Sequence, residues 1–535
     1  MTFRLRALAV ALASLTAASL PAQQPAAAAA PPAPTCPIEL MQPQPVGIAN
    51  LQRSKVISAK TDEDAQKAVR EATKLLFDSR AASNPLGRDY LLAQFFTLAM
   101  EHGGEIQTRG TLGLPGDKAA TVDLVVAVDS LLTIVEKGDT ACRKDVEEWR
   151  QYKPFINSVQ NGYKALGAGK VAEAEKSAQR ALILYKEGPQ PYDILWRVAK
   201  DKKDIDGMVQ NLQLAIEKLA GDTLNANVRA NLMFNLGREQ QDAARSAPEP
   251  NKSELLRGAA NAFLAQAREY PSSEEAPFSL NGIAVASAVL KDTSFGPKVI
   301  DLVKGNLEKF SDVSLAQAGV LATASNRTAD AVLLFGAASR KNPYSRDYLY
   351  NYAAMLYEAH QPQLIPPVVK QLVALDPSNP DNLMLYAYAY KGFSDSAALP
   401  LHRLQQDSAA RYKKALPADK RAMRDSIAKY RAIQKVLVDT LNAWAKLADD
   451  MPHKLLFTSV DRLKDRTNVE GEIENRGKTP RVFTVELEFL GKDGVSLGKV
   501  TATTESVAPG ATGKFKAELP KGGALGVKYA ALPLK

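Results

Sequence analysis

The sequence predicts a mainly α-helical chain, a solenoid of helix pairs followed by a small antiparallel β-sandwich. Three observations carry that reading. Pro343 and Pro377 recur 34 residues apart, each between two apolar helical stretches. Apolar residues recur at three and four through the Ala-rich region before them. After Met451-Pro452 the pattern changes to alternation, which is the period of a strand.

The amino-terminal residues 1–22 read as an export signal. Arg4 and Arg6 precede the uncharged Ala/Leu-rich stretch Ala7 to Leu20 and the small-residue segment Pro21-Ala22-Gln23. That stretch is shorter than the roughly 20 apolar residues a membrane span needs, so the mature protein is expected not to span a membrane. Residues 23–50 are expected to be a flexible Ala/Pro/Gln-rich leader. Cys36 does not sit in a lipid-attachment setting, since Ala33-Pro34-Thr35 precedes it and about 15 residues separate it from the apolar core. The one other cysteine is Cys142. An even pair in an oxidising compartment more often forms one disulfide than two free thiols, which makes Cys36–Cys142 a candidate bridge.

Residues 51–150 show helical periodicity in DEDAQKAVREATKLLFDSR, NPLGRDYLLAQFFTLAMEHGG and TVDLVVAVDSLLTIVEKGD, read as degenerate helix pairs. Residues 151–398 hold the repeat itself. Ala331, Phe335 and Ala338 lie on one helix face ahead of Pro343, and Gly319 and Ala322 stand where a preceding helix needs small residues. One period on come Ala353 and Leu356, and another period on Ala387 and Tyr390. Upstream, Gly162, Ala165, Gly169, Ala174, Ala178 and Ala181 keep the same spacings. Met208, Leu212 and Ala215 form a weaker copy, and Ala260, Leu264, Ala267 and Pro271 another half. Two intervening stretches do not register.

With these positions in view the sequence resembles the tetratricopeptide repeat family. Its 34-residue unit carries a small residue near the eighth position, alanines near the twentieth and twenty-seventh, and a closing proline. The resemblance covers about residues 155–392. Residues 399–453 are helical and more charged, with a stripe of Ile427, Tyr430, Ile433, Val436, Leu437 and Leu441, and are expected to cap the solenoid. In residues 454–535 the segments LLFTSV, NVEGEIEN, RVFTVELEFL, SLGKVTATT and KFKAEL alternate, which puts Val485, Leu487 and Phe489 on one face and Glu486 and Glu488 on the other. NVEGEIEN with the late Pro509-Gly510 turn resembles the FxLyD-type envelope modules, although Phe489-Leu490-Gly491-Lys492-Asp493 departs from their aromatic-acid ending.

Catalytic constellations are missing from the sequence, and no enzyme, cofactor or metal is expected. His102, His360, His402 and His453 are scattered, and neither His-x-x-x-His nor Cys-x-x-Cys occurs. Gly110 to Gly116 is glycine-rich but lacks the Lys-Ser/Thr of a phosphate loop. A net charge of +9 over 535 residues, with Lys and Arg interleaved among Asp and Glu, gives no nucleic-acid signature.

The resemblance implies that a protein partner lies along the first helix of each repeat, on the concave groove. Asp347, Tyr350 and Tyr357, then Asp381, Met384, Tyr388 and Lys391, fall on that face by register. Tyrosines and methionine there suit a protein segment, and equally suit packing between repeats. Tyr350 and Met384 stand where relatives that clamp a terminal carboxylate place an Asn, so no such clamp is expected. Two functions follow as expectations: a periplasmic or secreted envelope adaptor that binds a protein in the groove, or an accessory protein whose sandwich binds a glycan or envelope component with the solenoid as spacer. On the first, partner capture survives removal of residues 455–535.

Overall fold

A computed structural model describes residue 36 and residues 44–533. The expected export signal and most of the leader lie outside the described residues. The end of the expected leader is helical rather than flexible, because helix α1 (Gln44–Ser58) buries Val46, Ala49 and Val56. Two compact units divide between Leu255 and Leu256.

In the first unit, α2 (Asp62–Leu76) starts at Thr61, whose hydroxyl accepts from the Asp64 N–H at 3.1 Å. Asp62, Glu63 and Asp64 complement the positive end of the helix dipole. Helix α3 (Pro85–Gly103) is buried without a break from Tyr90 to Met100, so it is a central helix and not an amphipathic one. The expected run of helix pairs is then interrupted. Strand β1 (Ile106–Thr108), a single-turn helix α4 (Arg109–Leu112) and strand β2 (Thr121–Asp123) form an antiparallel hairpin around the glycine-rich loop. Gly113, at φ +74°, ends α4, and a Cβ there would stand 2.6 Å from the Arg70 carbonyl oxygen. Helices α5 (Leu124–Gly138) and α6 (Arg143–Arg150) follow. Cys142 is disulfide-bonded to Cys36, their Cα atoms 4.4 Å apart, and the Cys36 N–H donates to Asp145 Oδ2 at 2.5 Å.

The repeat proper begins with α7 (Lys153–Gly167) and α8 (Val171–Leu184), then α9 (Pro189–Asp201), α10 (Ile205–Lys218) and α11 (Ala226–Ala244). The alanines that carry the sequence register, Ala174, Ala178 and Ala181, are fully buried. A Cβ on Gly162 would lie 2.7 Å from Ile194 Cδ1, so the close approach of α7 to α9 requires glycine. Arg180 on α8 binds both Asp123 oxygens, at 2.6 and 2.7 Å, and Glu105 at 2.8 Å, fixing the hairpin to the first repeat.

Helix α12 (Asn251–Glu269) straddles the division, and α13 (Ala276–Leu290) with α14 (Phe295–Lys304) continues the second unit. The stretches that do not register in the sequence are therefore helical too. Helices α11 and α12 run 19 residues each, against 13 and 14 for α15 (Asp312–Ala324) and α16 (Thr328–Lys341), which throws the 34-residue spacing out of phase. Helices α17 (Arg346–Glu358) and α18 (Ile365–Leu375) form the next pair. Helix α19 (Pro380–Arg411) runs through the expected boundary at 398/399 as one 32-residue helix carrying Pro400, and it folds back on α20 (Pro417–Asp449). Tyr386 stacks on Trp444, ring centroids 4.5 Å apart, where this hairpin joins the repeats. Ile427, Tyr430, Leu437 and Leu441 are half-buried, whereas Ile433 and Val436 are exposed. The segment is a helical hairpin.

Strands β3 (His453–Arg462), β4 (Thr467–Asn475), β5 (Thr484–Leu490), β6 (Ser496–Thr503), β7 (Thr512–Leu519) and β8 (Gly526–Tyr529) form two three-stranded antiparallel sheets, ordered β3-β4-β7 and β6-β5-β8. Val485, Leu487 and Phe489 face the core with Leu455, Ile473 and Phe515, while Glu486 and Glu488 pair outward with Lys499 and Lys528. The chain is thus a TPR-like set of helix pairs followed by a small antiparallel sandwich.

His453 is fully buried at the start of β3, its ring edge-on to Phe483 with centroids 6.1 Å apart. Burial, reinforced by the Arg481 charge, pushes its pKa down to about 4. The unfolded chain takes up the proton first as pH falls, so stability present at neutral pH is lost between about pH 6.5 and 4, by about 3 kcal/mol at most, and no further below that. Denaturant titrations of wild type and His453→Leu across this range measure the difference. A pH slope unchanged by the substitution would contradict the assignment.

Candidate partner-binding face

The face marked by the sequence register lies on α17 and α19. Asp347, Tyr350, Tyr357, Asp381, Met384 and Tyr388 are half-buried there, and Lys391 is exposed. The structure brings Tyr357, Tyr388 and Lys391 together. The two rings are tilted at 40° with centroids 5.3 Å apart. Lys391 Nζ donates to Asp395 Oδ2 at 2.5 Å, and this bond first, with the neighbouring Tyr357, holds the ammonium pKa above its ordinary value. Burial first, and then the neighbouring Tyr357 and Asp381, raise the pKa of the Tyr388 hydroxyl. At neutral pH this face therefore presents a protonated phenol and a cation.

Tyr350, Tyr357 and Tyr388 also pack against the apolar cluster of Leu349, Ala353, Leu356, Ile365, Leu372 and Leu385 between the two repeats. Their rings serve core and surface together. Met384 is outside that cluster.

Asp381 is placed differently. Its carboxylate pairs with Lys454 of β3 at 2.9 Å, so one end of the face carries the sandwich. The contact extends along the turns that begin α15, α17 and α19. Asp376 is fully buried and accepts three hydrogen bonds, from the Tyr529 hydroxyl of β8 at 2.6 Å and from the Asn379 and Asn382 side-chain amides at 3.0 Å each. Ser378 bonds three times to the sandwich: its N–H donates to the Tyr529 oxygen at 3.1 Å, its carbonyl accepts from Leu455 N–H at 3.0 Å, and its hydroxyl accepts from Leu532 N–H at 2.8 Å. One repeat earlier, Asn342 donates to the Leu525 carbonyl at 2.9 Å and to Asp312, which Arg462 binds at 3.0 Å. The Arg346 guanidinium lies 3.6 Å from the Phe457 ring centroid. A Cβ on Gly526 would come within 2.1 Å of the Tyr344 carbonyl oxygen, so glycine is what lets β8 close on the turn.

Apart from Asp381, which the register placed on the face without its sandwich partner, these residues escaped the sequence reading. The turns KNPYSRD and LDPSNPD mark helix stops, and their prolines do that work, but the polar residues beside them bind strands 73 to 183 residues away. A local pattern contains no sign of such a partner. It follows that removing residues 455–535 strips partners from buried Asp376, Ser378 and Asn342, so that truncation is not a neutral test of the face.

Among the described residues no three His, Cys, Asp or Glu side chains cluster as a metal would require, and no helix is long and apolar enough to cross a membrane. His102 ends α3 and contacts Asp62 at 2.8 Å, and His402 lies 2.9 Å from Gln406.

No protein-family model matches the chain, and no curated protein matches it. Among solved structures, a thermophilic TPR protein from Thermus thermophilus aligns with 38% of this chain and 98% of its own, at 15% identity and a TM-score of 0.21. PilF of Pseudomonas aeruginosa aligns with 43% of this chain and 95% of its own, at 14% identity and a TM-score of 0.24. The TPR2AB domain of yeast Sti1, solved in its pHSP90 complex, aligns with 55% of this chain and 98% of its own, at 16% identity and a TM-score of 0.21.

Proposed function

We propose that this protein is an exported scaffold of the bacterial cell envelope, non-catalytic, which holds a protein partner along the first-helix face of its last repeats. The observation that carries the reading is the Tyr357, Tyr388, Lys391 group, with Met384 one helical turn before Tyr388 on α19. Two aromatic rings with polar tips, a flexible thioether and a cation offer contact area and hydrogen bonds to a peptide or a partner helix. The basic-apolar-small order of residues 1–22 supports export, and the Cys36–Cys142 bridge suits an oxidising compartment. The sandwich, in this reading an FxLyD-like accessory module, closes one end of the face through Lys454 and Asp381.

Affinity capture from envelope extract compares wild type with a Met384→Glu, Lys391→Glu variant whose thermal midpoint matches wild type. These positions are chosen because alanine at the tyrosines would also open the inter-repeat core. We expect at least a tenfold loss of a specific protein partner, the effect of removing one anchor contact. Equal recovery of that partner would overturn the assignment of the face.

A further inference from the structure

The net charge of the chain is concentrated in one place. Residues 399–440 carry ten Lys and Arg against four Asp and no Glu, a surplus of six where the whole chain has nine. They form the outer part of the α19–α20 hairpin, and no residue from His402 to Leu447 is buried. The ten residues of α19 beyond Leu401 thus extend about 15 Å past its last buried side chain. The tip of the hairpin holds Arg411 at the end of α19, Lys413 and Lys414 in the turn, and Lys420 and Arg421 at the start of α20, none of which forms an ion pair among the described residues. In their midst Leu416 is 70% exposed, and Leu399 and Val436 along the hairpin are 64% and 63% exposed.

We propose that this tip docks on the anionic headgroups of a lipid surface. Repulsion among unpaired cations opposes such a cluster in water, and a negative counter-surface relieves it. An exposed aliphatic, Leu416, between those cations favours a lipid interface over nucleic acid, because a bilayer surface takes both the charge and the apolar side chain, whereas Leu416 gains nothing from a phosphate backbone. Base stacking needs a free aromatic face, and the one aromatic of the turn, Tyr412, is half-buried with the Lys420 ammonium 5.4 Å from its ring centroid. Long Lys and Arg stems let the heads reach phosphates while the stems lie along the apolar boundary. The inference does not depend on the α17–α19 face.

The test is co-sedimentation of the full mature chain with vesicles of phosphatidylglycerol mixed with phosphatidylcholine, against phosphatidylcholine alone. The chain should bind the anionic vesicles, and added salt should weaken binding. A Lys413→Gln, Lys414→Gln, Arg421→Gln variant should bind about 100-fold more weakly, and Leu416→Ser roughly fivefold more weakly. Replacing the two lysines with arginine should preserve binding, which separates charge from folding. Equal binding to both vesicle types, indifference to the glutamine variant, or binding to duplex DNA without binding to vesicles would overturn the proposal.

Discussion

Replacing Asp376 with alanine is expected to destabilise the second unit by about 3–4 kcal/mol and to loosen the sandwich from the repeats. The carboxyl group is fully buried and anchors the Tyr529 hydroxyl together with the Asn379 and Asn382 amides. Truncation would leave the Tyr529 hydroxyl and the Asn379 amide without their acceptor in a place water cannot reach, while Asn382 keeps its bond to the Asp376 carbonyl at 2.8 Å, and each such loss costs about 1–3 kcal/mol before relaxation. Tyr529→Phe keeps the ring in the sandwich core and removes only the hydroxyl, so it should cost about 2 kcal/mol. Because the two groups share one hydrogen bond, the double variant should cost less than the two single losses combined. Denaturant titration gives these values, and limited proteolysis after Asp450 reports the loosening. Strict additivity, or a loss under about 1 kcal/mol for Asp376→Ala, would mean that the contact does not hold the module.

Reduction of the Cys36–Cys142 bridge is the second large effect. The residues it joins are 106 apart in sequence. Closing a loop of about 100 residues removes enough freedom from the unfolded chain to stabilise the fold by about 5 kcal/mol in the chain-entropy view. The bridge also carries the Cys36 N–H to Asp145, on the same helix that Cys142 precedes. A Cys142→Ser variant, or wild type with reductant, should unfold at markedly lower denaturant, with the slope of the transition altered because the unfolded chain expands. An unchanged midpoint, with two free thiols counted, would show that the bridge contributes nothing.

Much of the helical architecture is legible without coordinates. Ala174, Ala178 and Ala181 occupy fully buried positions because three- and four-residue spacing dictates one face of a helix whatever the context. Val485, Leu487 and Phe489 turn inward for the same reason at a period of two. Where the period was not the whole story the reading fell short. GVKY is too short to alternate visibly, yet Gly526–Tyr529 is a strand because Leu487 to Leu490 supplies its partner. The stripe on α20 marks a hairpin seam in part, since a bare helix pair leaves Ile433 and Val436 at its outside.

The candidate face divides along the same line. Its position on α17 and α19 follows from register, and Tyr357, Tyr388 and Lys391 do meet there. That Asp381 belongs to Lys454, and that Asp376, Ser378 and Asn342 receive the sandwich, is decided in three dimensions. The sequence by itself determined the period of each element, the small residues that let helices touch, and the place where helices give way to strands. Only the tertiary structure decided which turn meets which strand. Hydrophobic periodicity is a local property of neighbours along the chain, whereas a buried hydrogen bond between residues about 150 apart depends on where the intervening fold delivers its donor.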